Sequence, residues 1–137
     1  MKAKIYLETY ERLYRQAQRL TEEIQRLEAQ ATSIGAIRYD KDKVQSSPED
    51  RMSEIVTRKV QLELVLDDTI EELMILKSEY MKIFDRLVIR DREIAILTWL
   101  DFEGSIYISQ KLRCSRQTVF RRQRAITQIV QEILDDD

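Results

Sequence analysis

Six cationic side chains, Lys111, Arg113, Arg116, Arg121, Arg122 and Arg124, fall between residues 104 and 131 with no Asp or Glu among them. Guanidinium groups at this density pair with phosphate oxygens. An Arg fork also matches the O6 and N7 edge of guanine, as the Gln117 amide matches adenine. The flanks carry the opposite sign: residues 1–103 hold 17 Lys and Arg against 21 Asp and Glu, and Glu132 and Asp135–Asp137 follow the island. The overall charge of −2 therefore hides a basic segment inside an acidic chain. Runs of Arg are commonly just solvated helix face; the absence of any acid distinguishes this one. Other chemistries have little to work with. There is no His and one Cys, Cys114, which removes the commonest general base, the usual zinc ligand sets and any intrachain disulfide. No nucleophile, base and orienting group recur at a recognisable spacing, so the reading is a non-enzyme without metal or cofactor.

The elements that must position these cations are short. Ser115 reads as the N-cap of a helix, RQTVFRRQRAITQIVQEIL, whose core face is Val119, Ile126, Ile129 or Val130, and Ile133. Arg116, Gln117, Phe120, Arg121 and Arg124 then share the outward face near the helix N-terminus, where the dipole also favours a phosphate. Thr118 or Phe120 can touch a thymine methyl. Upstream, Arg113–Cys114–Ser115 forms a turn after a short helix from Ser105 to Leu112, with Ile106, Ile108 or Ser109, and Leu112 inward. Before that, Asp91 opens DREIAILTWLDF, with Ile94, Leu97 and Leu100 on one face, and Gly104 signals its C-cap. Two short helices joined by such a turn, the second capped and polar in its first turn, form the helix-turn-helix pattern.

The remaining residues predict two long helices. Ala3, Tyr6, Tyr10, Leu13, Ala17, Leu20, Ile24, Leu27, Ala31 and Ile34 alternate at spacings of 3 and 4, a heptad seam on a helix over about 2–32. The Tyr residues in it read as packing residues rather than a binding box. Thr32–Glu49 breaks the period with Gly35, Ser46, Ser47 and Pro48, and Ser47 before Pro48 reads as a cap. A second seam, Met52, Ile55, Lys59, Leu62, Leu66, Thr69, Leu73, Leu76, Tyr80, Ile83 and Leu87, predicts an antiparallel partner. This helix carries a further stripe, Val56, Val60, Ile70, Met74, Met81 and Phe84, which either a second copy of the chain or the C-terminal segment must cover. The expectation is an all-α chain. Residues 1–88 form a helical hairpin or coiled coil with a loop at 33–48, oligomerising through Leu13, Leu20, Ile24, Leu27, Leu66, Ile70, Leu73, Met74 and Phe84. Residues 89–137 form a three-helix DNA-binding domain.

The words Ser115–Arg116–Gln117–Thr118–Val119, Ala31–Thr32–Ser33–Ile34 and Val44–Gln45–Ser46–Ser47, in this order around the helices, carry a resemblance over nearly the whole chain. It resembles small phage and prophage regulators allied to the ArpU and RinA late-transcription activators, whose C-terminal domain is like region 4 of bacterial sigma factors. The resemblance implies sequence-specific binding to double-stranded DNA and regulation of phage genes, with host RNA polymerase as a further partner. It also implies that Arg116, Gln117, Phe120 and Arg121 touch bases, while Ser115, Thr118, Arg122 and Arg124 lie near phosphates. The sigma pattern carries a Glu in the first turn of its reader where this chain has Gln117, so base preference does not transfer. No counterpart of the sigma segments that melt DNA is present.

The functional expectation is a cytoplasmic transcription regulator acting as a dimer or tetramer, its DNA contacts made by residues 115–124 together with Lys111 and Arg113. A small terminase subunit, which also combines a helix-turn-helix with coiled coil, is the alternative, and a coiled-coil adaptor without DNA contact a third. The adaptor leaves the acid-free cluster unexplained. Met1–Leu13 mixes Lys, Glu and Arg, unlike a signal peptide, and no apolar run suits a bilayer, so no membrane partner is expected.

Overall fold

The computed structural model describes residues 2–37 and 48–136, and all regular structure among them is helical, with no strand. In chain order these are α1 (Lys2–Ile37), α2 (Pro48–Phe84), α3 (Ile89–Ala95) continuing as a π-helical turn (Ile96–Leu100), α4 (Ser105–Leu112) and α5 (Arg116–Asp136). Most of the expected loop at 33–48, with the Ser47 cap and the Val44–Ser47 word, lies outside the described residues. At its edges, α1 continues through Gly35 to Ile37, because one Gly in a long helix costs only about 1 kcal/mol. Pro48 opens α2, where its fixed φ suits the helix and its missing N–H has no partner to lose. No helix among the described residues is long and apolar enough to cross a membrane.

Contacts divide the chain into two compact units, one joining the residues up to Tyr14 with those from Glu72 onward, the other spanning Arg15–Glu71. The boundary drawn at 88/89 from sequence falls inside the first unit.

In the first unit, Ala3, Leu7 and Tyr10 of α1, Leu73, Tyr80 and Phe84 of α2, and Ile94, Leu97, Leu100, Ile108, Val119, Ile126 and Val130 of the later helices are buried. Tyr80 is fully buried, with its ring 5.1 Å from Tyr6, 5.9 Å from Tyr10 and 5.8 Å from Phe84 by centroid. Its hydroxyl donates to the Tyr6 carbonyl and accepts the Tyr10 N–H at 3.4 Å, beside one rung of the α1 ladder. The chain of rings continues from Tyr10 to Phe102 at 5.8 Å and from Phe84 to Trp99 at 6.3 Å. At the start of α1 the Ala3 N–H, which has no intrahelical acceptor, donates to Gln131 Oε1 of α5 at 2.8 Å.

Several expectations change here. Phe84, assigned to an interface between chains, is buried completely inside this unit, because Trp99 returns to cover it. Met74 stays exposed. The first C-terminal helix starts at Ile89 rather than Asp91, and Asp91 is itself buried. Gly104 is not the C-cap of that helix. The left-handed residue is Phe102, φ 57°, while Gly104 is extended and precedes α4. A left-handed Phe is costly by about 1–3 kcal/mol, and here it brings the ring against Tyr10 and Tyr14. Ile106, expected inward, is 55% exposed, and Ile108 and Ser109 alone are buried on α4.

In the second unit α1 and α2 pack through fewer buried residues, Ile24, Leu62 and Thr69. Leu20, Leu27 and Leu66 are half-buried on the same seam. Arg58 meets Glu23 at 3.6 Å, and Lys59 meets Glu28 at 3.2 Å; hydrogen bonding to Glu28 raises the Lys59 pKa. Val56, Val60, Leu64 and Ile70 remain exposed on α2.

Burial pushes the phenols of Tyr80, Tyr6 and Tyr10 above their usual value, and hydrogen bonding to the Glu79 carboxylate, which Tyr6 reaches at 3.0 Å, adds to the rise for Tyr6. In the unfolded chain these groups ionise near about pH 10. Because the folded values are the higher ones, the stability they confer is complete below that pH and is lost as pH rises towards the folded values. Alkaline titration should thus show delayed phenolate absorbance together with loss of helical circular dichroism. Ionisation of every tyrosine at about pH 10 in a chain that remains helical would contradict the cluster.

Candidate nucleic-acid interface

The basic residues are presented by the turn between α4 and α5. Arg113 ends α4 in the left-handed region, φ 55°, and its N–H and that of Cys114 both go to the Ser109 carbonyl. Ser109 itself is buried, its hydroxyl donating to the Ile106 carbonyl at 2.8 Å. Ser115 caps α5 as predicted: its Oγ accepts the Thr118 N–H at 3.1 Å and lies 2.9 Å from Thr118 Oγ1. Val119, Ile126 and Val130 are the buried face of α5.

That burial leaves Arg116, Gln117, Phe120, Arg121 and Arg124 exposed, with Lys111 and Arg113 exposed on the preceding turn. The Lys111 ammonium stands 5.7 Å from the Tyr107 ring centroid. Arg116 Nε donates to Ser105 Oγ at 3.2 Å, and its guanidinium lies over the Phe120 ring. Arg124 lines a groove of about 530 Å³ with Trp99 and Lys4. Thr118 is half-buried, its hydroxyl engaged at the cap.

Arg122 sits differently from its neighbours. Its Nε donates to Asp91 Oδ1 at 2.9 Å and its Nη2 to Oδ2, a two-point fork onto a carboxylate that is 4% exposed. Hydrogen bonding to Asp91 also raises the pKa of this guanidinium. Arg122, expected near phosphates, thus ties α5 to α3, and a second tie follows one residue later, from Gln123 Nε2 to Thr98 Oγ1 at 2.9 Å. Arg90 Nη2 adds a bond to the Leu112 carbonyl at the end of α4, 2.9 Å long.

Asp91, Ser105, Thr98 and Arg90 are the supporting residues that sequence reasoning missed. Asp91 lies 31 positions from its partner and occupies a place where an acid at a helix start is unremarkable. The π-helical turn, in which the Asp101 N–H reaches back to Ile96, puts Trp99 beside Phe84 and has no sequence signal of its own. Among the described residues no group of His, Cys, Asp and Glu could hold a metal ion. Comparison of the chain with protein-family models, curated proteins and solved structures gives no match.

The fork from Arg122 to Asp91 predicts an asymmetric mutational response. Arg122→Ala leaves a buried carboxylate without its partner and should cost about 1–3 kcal/mol in denaturant unfolding. The double variant Arg122→Met with Asp91→Leu should recover most of that loss, since replacing both partners by apolar groups removes the unpaired charge. Equal destabilisation by the single and double variants would show that the pair is not what joins the helices.

Proposed function

We propose that this chain is a sequence-specific, double-stranded DNA-binding protein in which α4, the Arg113–Ser115 turn and α5 act as a helix-turn-helix that follows an antiparallel α1–α2 hairpin in the sequence. The observation that carries the reading is the set of exposed cations, Lys111, Arg113, Arg116, Arg121 and Arg124, around the capped first turns of α5. No acid falls between residues 104 and 131 to oppose them. An α-helix fits the major groove, and Arg116, Gln117, Phe120 and Arg121 are its base-facing candidates. Arg113 and Arg124 flank them as phosphate contacts, with Lys111 further along the turn. Arg122 holds the reader in place through Asp91. The sequence resemblance to phage regulators with a sigma region 4-like domain supports transcription regulation as the purpose of this binding, with RNA polymerase as a further partner.

Titration of the full chain with duplex DNA tests the reading. Affinity should fall steeply with salt, and Arg124→Ala should weaken all sequences alike while reducing the salt slope by about one. Arg121→Ala should cost about 1–3 kcal/mol and relax preference at one base position. Binding that ignores salt, or specificity that survives Arg116→Ala with Arg121→Ala, would remove α5 as the reader.

Assembly as a homodimer or tetramer belongs to the same proposal. Val56, Val60, Leu64 and Ile70 leave between 42% and 62% of their surface exposed along one side of α2, an arrangement that a second copy would cover. Val60→Glu with Ile70→Glu should lower the solution mass measured by light scattering without loss of helix. A mass unchanged by the double variant would show that this stripe is not the interface, and a wild-type mass corresponding to a large ring would favour a DNA-packaging role.

A further inference from the structure

Arg116 differs from the other exposed cations in that its guanidinium is held on two sides. Nε is bonded to Ser105 Oγ at 3.2 Å, and the guanidinium carbon stands 5.7 Å from the centroid of the Phe120 ring. The terminal nitrogens keep their four N–H donors, enough for a two-point bond to a base edge. Phe120 lies against the cation on one side, and Arg116 remains exposed to a ligand. Phe120 itself is 42% exposed among charged neighbours, which apolar burial within the chain does not account for. By contrast Arg122 is committed to Asp91 and Lys111 lies against Tyr107.

We infer that the Arg116–Phe120 pair reads a 5-methylpyrimidine–guanine step. The Arg116 fork bonds guanine O6 and N7, and the C5 methyl of the pyrimidine on its 5′ side packs on the guanidinium on the side away from Phe120. Base pairs stack about 3.4 Å apart, so a guanidinium lying in the plane of a guanine meets the neighbouring methyl at van der Waals distance. Thymine carries that methyl in the major groove, and methylated cytosine presents the same group. Cytosine and uracil do not. Fixing Nε and one side before binding lowers the side-chain entropy lost on contact. This inference rests on the DNA-binding reading and adds to it the identity of one step in the site.

The test selects bound sequences from random duplex DNA with the full chain and then alters the enriched site. A TG step should be enriched. Replacing its thymine by uracil should weaken binding about fourfold, the equivalent of one buried methyl group. Replacing guanine by 7-deazaguanine should weaken it roughly five- to a hundredfold. Changing the T·A pair to C·G should weaken binding, and methylating that cytosine at C5 should restore it. Arg116→Lys should lose both the distinction between thymine and uracil and the response to 7-deazaguanine, because the planar face and the fork belong to the same guanidinium. An enriched site without a pyrimidine–guanine step, indifference to uracil, or an Arg116→Lys protein that still distinguishes the methyl overturns the inference and leaves DNA binding intact. Failure to bind any duplex overturns the DNA-binding reading itself.

Discussion

The first compact unit depends on the burial of Tyr80. Its ring lies against Tyr6, Tyr10 and Phe84, and its hydroxyl satisfies both hydrogen-bonding roles on the α1 backbone. A buried phenol without partners would cost more than its ring gains, so the two bonds are the condition for placing a Tyr at this point of the seam. Once Tyr80 is in place, Phe84 one turn later still needs a cover. Trp99 arrives there, and the widened π turn and left-handed Phe102 that bring these rings in are strained features retained where packing over-determines them. The start of α1, the end of α2 and the C-terminal helices thereby share one core.

This core explains the two-sided character of α5. Its inner face, Val119, Ile126 and Val130, belongs to the core, and Gln131 supplies the acceptor for the first turn of α1. Its outer face in the first turns is left uncovered by the described residues and carries the cations. The ties at Arg122 and Gln123 sit between these regions and set the rotation of the helix about its own axis. A rotation of one residue, about 100°, would turn Val119 out of the core and carry Arg122 away from the buried Asp91 carboxylate, leaving that charge unpaired.

Sequence periodicity revealed the seams because one apolar stripe per helix is a local property. Ala3, Tyr10, Ile24, Leu62, Leu73 and Tyr80 are all buried where the 3–4 spacing puts them. Ser115 was legible for the same reason, since a cap and the helix it starts are neighbours in sequence. Phe84 was not. Its stripe had two possible covers, another chain or a returning segment, and the choice depends on Trp99 through a π turn that leaves no mark on composition. On the basic face, charge and helical phase separated Arg116, Gln117, Phe120, Arg121 and Arg124 from the core, but Arg122 looked like one more outward cation because its partner, Asp91, is distant along the chain. Gly104 misled because glycine is the usual left-handed residue after a helix, and here Phe102 takes that conformation for the sake of its ring contacts.

Neutralising Arg122 against Asp91 removes one cation from a crowded set, lowering the mutual repulsion of the five that remain exposed while keeping the helix anchored. Those five belong to a turn and a helix start that are already satisfied: Ser115 and Thr118 close the cap, and Ser109 accepts from the turn. Because the turn and the helix start are already formed, any contact made on this face has its ordering cost confined to the tips of the Arg and Lys side chains.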